Sequence, residues 1–277
     1  MKSLTLKLLM IALSVNTLFA ASLDDKILKF LSKSVSATKS YKITNIKVLS
    51  SQDIKSIPGW KVFFVKIDLN LVGKNKSISI TDKIFTNGQV VTKDLIDINT
   101  VKSIKNSFVP DFDEKFYNKS NIVAGSQKAP NKIALFSDPL CPFCMSYVPD
   151  LINFVNKYPN QFVLYYYHFP LNIHPNAPTL IKAGLAAKKL GVKDVDIKIY
   201  EEAFDFEKSD EKLVLDKVNK LLGTKITLKE LNQEDILKHM QDDMNIVNAL
   251  GLNGTPRVFV NGKIDPTRNS YKNLIKK

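Results

Sequence analysis

The sequence predicts a two-part protein, in which a small helix-plus-antiparallel-sheet module is followed by a larger domain of alternating strands and helices. Between residues 41 and 92, β-rich runs alternate with turn signals such as Asn87-Gly88, a pattern that is typical of hairpins. From residue 131 onward, apolar strand-like runs are separated by stretches of helical periodicity, which is typical of βαβ units. We therefore expect an α+β module ahead of an α/β domain.

The N-terminal module is predicted to span residues 21–98. Ser22 has the position of a helix N-cap, and apolar residues then recur every four positions from Leu23 to Val35, as on one face of an amphipathic helix. Strand-like runs follow at 41–49, 60–69, 76–85 and 89–92. Residues 99–130 have a mixed composition that ends in AGSQKAP, so they are assigned as a linker.

Residues 1–20 have the pattern of a secretory signal peptide. Lys2 and Lys7 precede an uncharged, mostly apolar run, and small residues follow at Ala20 and Ala21. The run is too short and interrupted to favour a membrane span, although a buried N-terminal helix is an alternative. We expect cleavage after Ala20, export and a periplasmic location.

Residues 131–277 are predicted to form the second domain. NKIALF is a strand, CMSYVPDLINFVNKY is a helix, and QFVLYYYHF at 161–169 is a second strand. A helical region follows at about 178–250, and residues 255–265 then form a hairpin with a turn at Asn261-Gly262, before a short terminal helix. This order of elements is typical of a thioredoxin-like α/β domain with a helical insertion.

The only two cysteines of the chain stand three residues apart in FSDPLCPFC. Cys141 follows a strand, and Pro142 occupies the first helical position, where proline is favoured. A thiolate on Cys141 would face unpaired backbone N–H groups and the positive end of the helix dipole. Cys144 lies one turn further on, within reach for a disulfide. The spacing therefore predicts that Cys141 is the nucleophile and Cys144 the resolving thiol, with their own redox-active disulfide and no added cofactor.

Other uses of a CxxC pair fit the sequence less well. A disulfide that closes so small a loop would stabilise the fold little, and haem attachment needs a histidine where the chain has Met145. Structural zinc needs four ligands, and three scattered histidines are a poor substitute for a second CxxC, so no metal site is predicted. Two alternatives of other classes stay open: a copper(I) carrier that uses Cys141, Cys144 and Met145, and a chaperone-like binding module.

A second motif, GTPRVF, places Pro256 at the start of a strand, which is an unusual place for proline inside a sheet. A cis Thr255–Pro256 peptide bond would explain this position. It would also expose the backbone of Thr255 to an extended polypeptide beside the cysteines. The neighbouring Phe143 is expected to contact apolar parts of an unfolded chain.

Further side chains are candidates for tuning the cysteines. Asp138 precedes a proline, so it either shapes the turn or takes a proton from Cys144. His168 and His174 flank the loop HFPLNIHP, and either of them could lie near the pair. His239 lies inside a predicted helix and is a weaker candidate.

FSDPLCPFC and GTPRVFVNG together resemble motifs of the bacterial Dsb thiol-disulfide oxidoreductases, and among them those of the dimeric DsbC/DsbG disulfide isomerases. Those proteins have an aspartate three residues before the first cysteine, as Asp138 stands here, and a threonine before the cis-proline, as Thr255 does. The resemblance implies that residues 21–98 are a dimerisation domain and that two active sites face a shared cleft. The pair Pro142-Phe143 differs from the usual dipeptides of the family.

The resemblance implies a periplasmic disulfide isomerase or reductase that acts on unfolded or misoxidised exported proteins as a homodimer, kept reduced by a DsbD-like membrane partner. A DsbA-like oxidase, served by a DsbB-like partner, is the alternative within the class. The net charge of +13 does not predict nucleic-acid binding, because only Arg257 and Arg268 among the forty basic residues are arginines.

Overall fold

The computed structural model describes residues 22–35, 41–73, 77–206 and 210–276, so the predicted signal peptide lies outside the described residues. The first part is a helix and a four-stranded antiparallel sheet, whose strands lie side by side in chain order. The elements are α1 (Leu23–Val35), β1 (Tyr41–Asp53), β2 (Lys61–Leu71), β3 (Ser77–Thr86) and β4 (Val91–Thr92). These bounds follow the predicted helix and strands closely.

Helix α1 begins at a reciprocal cap. The backbone N–H of Asp25 donates to the hydroxyl of Ser22 at 3.1 Å, and the N–H of Ser22 donates to the carboxylate of Asp25 at 3.2 Å. These bonds satisfy N–H groups that the first helical turn leaves open. The helix then buries Ile27 and Leu31 against Phe63 of β2. The apolar stripe seen in the sequence therefore fixes α1 to the sheet.

The opposite face of this sheet is also covered. Val62, Phe64 and Phe85 form a second cluster, in which the ring of Phe85 meets Phe108 edge-on at 5.9 Å. Strand β2 accordingly has four consecutive buried residues from Val62 to Val65. A short hairpin, β5 (Ile96–Asp97) and β6 (Lys102–Ser103), follows this sheet.

The second part has a five-stranded mixed sheet in the order β11-β10-β8-β9-β7. Its strands are β7 (Ile122–Gly125), β8 (Asn131–Ser137), β9 (Phe162–His168), β10 (Arg257–Val260) and β11 (Lys263–Ile264). Strands β8 and β9 are parallel and are joined by helix α2 (Pro142–Lys157), whereas the other pairings are antiparallel. This is the predicted strand–helix–strand unit followed by a hairpin.

The predicted helical insertion forms a core of its own between β9 and β10. It contains α3 (Ala177–Lys189), α4 (Val195–Glu201), α5 (Glu211–Leu222), α6 (Leu228–Leu231) and α7 (Glu234–Leu250). Buried residues of α3, α4 and α5 pack together, among them Leu180, Ile199 and Val218. The short terminal helix that the sequence predicts is present as a 3₁₀ helix at Ser270–Leu274.

The structure differs from the sequence prediction in the segment 99–130, which was assigned as a linker. Strand β7 lies within this segment and pairs with β9. Before it, Phe112 packs edge-on against the rings of Phe136 and Tyr167 in the core of the second part. The second domain therefore begins before residue 131, because apolar side chains of the connecting segment complete its core.

The two parts also touch directly. The amide of Gln52 in β1 donates to the carbonyl oxygen of Val109 at 3.1 Å. In β3, the ammonium of Lys83 lies 3.5 Å from the carbonyl oxygen of Gly251, the residue that caps the end of α7. Lys83 is only 5% exposed, and this burial lowers its pKa to about 8.

Candidate active site

Cys141 lies where the sequence places it, between the end of β8 and the start of α2. It is the N-cap residue of that helix, and Pro142 follows at the first helical position. The backbone N–H groups of Cys144 and Met145 donate to the carbonyl oxygen of Cys141 at 2.8 Å and 3.0 Å. The side chain of Cys141 thus lies at the amino end of a sixteen-residue helix, where the helix dipole favours negative charge.

The two cysteines differ in their access to solvent. Both are free thiols, and Cys141 is 5% exposed whereas Cys144 is fully buried in the core between the sheet and α2. Burial raises the pKa of the Cys144 thiol to about 11, because a thiolate there would lose its hydration. Cys144 is therefore a neutral thiol at neutral pH.

The two sequence motifs meet at the sulfur of Cys141. The Thr255–Pro256 peptide bond is cis, the geometry that the sequence predicts, and it comes directly before β10, whose first residue Arg257 pairs with Phe136 of β8. The sulfur of Cys141 lies 3.7 Å from the carbonyl oxygen of Thr255, although the two residues are 114 positions apart in the chain. The fold thus places the backbone of Thr255 beside the CxxC pair.

Asp138 shapes the loop before Cys141 and is closed to solvent. Its carboxylate is 0% exposed and accepts hydrogen bonds from the backbone N–H groups of Leu140 and Leu171, each at 2.7 Å. The Nδ1 atom of His174 lies 2.9 Å from the same carboxylate. Asp138 therefore joins two loops at the site, and its carboxylate is closed to solvent. The turn-shaping alternative agrees with these contacts.

A chain of buried hydroxyl groups leads to Cys144. The hydroxyl of Ser137, the last residue of β8, lies near the Cys144 thiol and lowers its pKa, which partly offsets the effect of burial. The hydroxyl of Tyr200 donates to Ser137 Oγ at 2.7 Å, and the hydroxyls of Tyr200 and Tyr166 are 2.6 Å apart. Sequence reasoning missed this chain, because Tyr200 belongs to α4 in the insertion and nothing local connects it with the cysteines.

Residues 117–277 match the family model described as thioredoxin. The chain belongs to the thioredoxin family. The probable disulfide bond formation protein D of Bacillus cereus is 30% identical over 200 residues, which make up 66% of this chain and 90% of that protein. Together these matches confirm the thioredoxin-like fold and the resemblance to Dsb-type thiol-disulfide oxidoreductases.

Two other similarities cover this thioredoxin-family chain less completely. The Na⁺/H⁺ antiporter NhaA 1 of Mycolicibacterium gilvum is 29% identical over 150 residues, which make up 51% of this chain, and the chain spans only 23% of the antiporter's length. The crystal structure of a thioredoxin-like oxidoreductase from Silicibacter pomeroyi has 21% identity and a TM-score of 0.49. The similarity covers 57% of this chain and 92% of that one.

The surface of this thioredoxin-family site is apolar at two points. Phe143, between the cysteines, is 72% exposed, and Ile173, in the loop that Asp138 binds through Leu171 and His174, is 78% exposed. None of the helices in the described part of the chain is long and apolar enough to cross a bilayer.

The histidines are less scattered than the sequence suggests. His174 contacts Asp138, whereas His168 and His239 lie together with Asp243 in a cluster whose donor atoms could hold a metal ion. The sequence predicts no metal site. The signal that it offers for one is the spacing of His239 and Asp243, four residues apart on a helix, but His168 joins them only through the fold.

Proposed function

We propose that the protein is a periplasmic enzyme that exchanges thiols and disulfides on exported polypeptides through Cys141 and Cys144, and that disulfide isomerisation or reduction is its main activity. The observation that carries the proposal is the position of Cys141, at the amino end of α2 with its sulfur 3.7 Å from the carbonyl oxygen of Thr255. A helix amino end favours the thiolate, which is the nucleophilic form. The cysteine pair is itself the redox group, so the reaction needs no added cofactor.

In the first step, the thiolate of Cys141 attacks one sulfur of a substrate disulfide. A mixed disulfide forms, and the other substrate sulfur leaves as a thiolate that takes a proton from solvent. The backbone of the half-buried Thr255, beside the cis Thr255–Pro256 bond, is where an extended substrate segment would pair. This arrangement favours a polypeptide substrate over a small thiol.

The mixed disulfide can then be resolved in two ways. In isomerisation, a second substrate thiolate attacks it and Cys141 leaves as a thiolate, so no electrons are transferred overall. In reduction, Cys144 loses its proton and attacks the sulfur of Cys141. The substrate thiol is released, and the two electrons it gains come from the pair, which becomes a disulfide. The hydroxyl of Ser137, next to Cys144, is placed to stabilise the developing thiolate.

The surroundings support unfolded or misoxidised exported proteins as the substrate class. Such chains expose apolar side chains together with their cysteines, and Phe143 and Ile173 offer apolar contacts at the site.

The choice of isomerase or reductase over oxidase rests on the motif residues Asp138 and Thr255, which resemble those of the DsbC/DsbG proteins. An isomerase must be kept reduced, so its partner would be an electron-donating membrane protein of DsbD type. Thiol trapping in cells should then find Cys141 and Cys144 mainly reduced. A mainly oxidised pair would instead favour the DsbA-like oxidase with a DsbB-like partner.

The N-terminal part is proposed to form a homodimer. Among the described strands, β1 pairs only with β2, so a thirteen-residue edge is left with unpaired backbone groups. Pairing of two such edges would bring two copies together. Light scattering of the mature chain should give twice the monomer mass, and N-terminal sequencing of the exported protein should begin at Ala21.

The activity is tested by insulin reduction and by reactivation of scrambled ribonuclease. Cys141→Ser should abolish both activities, because each route begins at that sulfur. Cys144→Ser should abolish reduction but keep part of the isomerisation, since that route needs only Cys141. Full activity of Cys141→Ser would eliminate the proposal.

A further inference from the structure

Two of the three histidines of the chain lie together where β9 meets α7. His168 is the last residue of β9, and His239 and Asp243 are one turn apart on α7. The two imidazole rings meet nearly edge to face, with their centroids 5.4 Å apart. None of these three residues has a part in the exchange chemistry proposed above.

We propose that His168, His239 and Asp243 bind a divalent transition-metal ion, with zinc as its representative. The cluster offers two imidazole nitrogens and one carboxylate oxygen, all within 4.8 Å of one another. This donor set suits Zn²⁺ and its neighbours in the first transition row. Ca²⁺ and Mg²⁺ prefer oxygen ligands throughout.

The spacing of the donor atoms fits a shared ion. Two ligands that each lie about 2.1 Å from one zinc ion at a tetrahedral angle are about 3.4 Å apart. Nε2 of His239 and Oδ2 of Asp243 are 3.5 Å apart. Nδ1 of His168 lies 2.7 Å from the same oxygen, at hydrogen-bond distance. An ion would replace this hydrogen bond, with the imidazole proton of His168 then carried on Nε2, and would move Nδ1 and Oδ2 apart by less than about 1 Å.

His239 has a donor atom that the protein leaves unused. Its Nε2 atom is buried and has no hydrogen-bond partner, which is costly for a polar atom. Burial lowers the pKa of His239 below its ordinary value and so favours the neutral ring. A neutral imidazole with a free lone pair is the form that binds a metal.

The carboxylate is held in place by residues behind it. Asn121 donates from Nδ2 to Oδ1 of Asp243 at 2.8 Å and to the carbonyl oxygen of Tyr166 at 2.9 Å. The backbone N–H of His168 donates to Oδ2 of Asp243 at 2.9 Å. Hydrogen bonds of this kind orient metal ligands and increase their affinity.

A cavity of about 350 Å³ borders the cluster and leaves room for further ligands such as water. Its lining includes both histidines together with Asp194 and Asp196. The ammonium of Lys188 also faces this cavity, but it lies 2.7 Å from the carboxylate of Asp196, so its charge is compensated. A cation can therefore enter beside His239, whose side chain is 17% exposed.

The test is a metal titration of the full mature chain with both cysteines replaced by serine, so that the thiols cannot bind the ion. Competition between the protein and a chromophoric zinc indicator should show one equivalent of bound Zn²⁺, and Co²⁺ should give the absorption of nitrogen-ligated cobalt. His239→Gln should weaken Zn²⁺ binding by about a hundredfold or more, since it removes a ligand. His174→Gln, which changes the third histidine, is the matched control and should leave the affinity unchanged.

His239→Gln is the decisive variant, because it keeps the buried contacts of Asp243 with His168 and Asn121 and its folding can be checked by circular dichroism. Three results would each overturn the proposal: no Zn²⁺ bound by the serine background, equal affinity in His239→Gln, or an equal loss in His174→Gln. Competition by Ca²⁺ as effective as that by Zn²⁺ would contradict the nitrogen-ligand site. The redox pair is absent throughout, so the result does not depend on the proposed exchange activity.

Discussion

The two sheets of the protein bury their strands in different ways. In the N-terminal sheet, the edge strand β1 alternates between exposed and half-buried residues and has no buried one among its thirteen. In the second sheet, all seven residues of β9 are buried. Among the described strands, β1 has a neighbour on one side only. Strand β9 lies between the parallel β8 and the antiparallel β7, and is covered on both faces.

This difference explains why the candidate active site lies in the second sheet and not in the N-terminal one. The N-terminal sheet is assembled from neighbouring strands of the chain, so few of its contacts join distant segments. The second sheet joins Cys141 to Thr255 across 114 residues, and the thioredoxin family match covers only this part of the chain. The largely buried strands β8 and β9 form the scaffold between these two motifs. The following predictions test this difference, beginning with the largest expected effect.

The largest effect is expected from Cys141→Ser. Insulin reduction should fall by at least about a thousandfold, because serine cannot act as the exchanging nucleophile. The thermal unfolding and the mass in solution should stay those of the parent, because Cys141 belongs to the second region alone. A change in mass would show that the two regions are coupled more closely than their sheets indicate.

The next effect compares two glycines with nearly equal backbone angles. Gly125 at the end of β7 has φ +79°, and an added Cβ would lie 2.1 Å from the carbonyl oxygen of Phe162, whereas Gly59 has φ +81° and open space around it. Gly125→Ala should lower the free energy of unfolding by about 3–5 kcal/mol, and Gly59→Ala by about 1 kcal/mol. Urea denaturation measures both. Equal losses would mean that the sheet around β7 yields as easily as an open turn.

A third prediction concerns the contact between the regions at Lys83. Lys83→Met should raise the free energy of unfolding at pH 7 by about 1–2 kcal/mol, because a buried cation loses its hydration. The pKa of Lys83 is lowered from 10.5 to about 8 in the folded state, so the parent's free energy of unfolding increases as the pH rises from about 8 to 10.5. The advantage of the variant should therefore be full below pH 8 and vanish toward pH 10.5.

The control for Lys83 is Lys61→Met in the neighbouring strand β2. The side chain of Lys61 is 40% exposed and pairs with Asp53, so its replacement should change stability by less than about 0.5 kcal/mol at every pH. Equal effects of the two substitutions would contradict the burial of Lys83 between the regions.

The smallest effect is expected at the hydroxyl chain. Tyr200→Phe removes one buried hydroxyl, and we expect Cys144 to resolve a mixed disulfide about five- to tenfold more slowly, as befits one lost hydrogen bond of about 1 kcal/mol. Quenched-flow trapping of the mixed disulfide measures this rate. The rate should rise with pH toward about 11 in the parent and in the variant, since more of Cys144 is then thiolate.

Tyr167→Phe is the matched control for Tyr200→Phe. Its hydroxyl is buried and donates to the carbonyl oxygen of Phe116 at 2.7 Å, on the face of β9 that points away from Tyr166. Tyr167→Phe should lower the free energy of unfolding by about as much as Tyr200→Phe does, but should not slow the attack of Cys144 on the mixed disulfide. An equal slowing in both variants would assign the effect to loosened packing.

Local pattern was sufficient for much of the fold. The turn at Asn87-Gly88, the apolar repeat of α1 and the unbroken apolar run of β9 are each encoded within about a dozen residues, and the structure has them within a few positions. The CxxC pair at a helix start was equally legible, because proline after Cys141 marks that start. Strand β7 could not be predicted from the sequence, because its four residues, one of them a glycine, are too few to show a strand pattern.

What could not be predicted depends on contacts between distant segments. Asp138 contacts His174 across a loop, and Tyr200 reaches Ser137 from the insertion, so neither partner has a local signal. His168 lies beside Asp243 because β9 ends where α7 passes. Periodicity describes which face of an element is buried but not which residue of another element it meets.

The segment that connects the two sheets packs against both of them. From Phe112 onward the chain is fixed in the second core, and β7 is bonded to β9, which is bonded in turn to β8, the strand that ends just before Cys141. The stretch before it is fixed to the N-terminal part in turn, because β5 pairs with β6 and the ring of Phe108 packs against Phe85. The placement of the N-terminal part relative to Cys141 therefore depends on how residues 104–112 pack against both cores, and not on the length of a free linker.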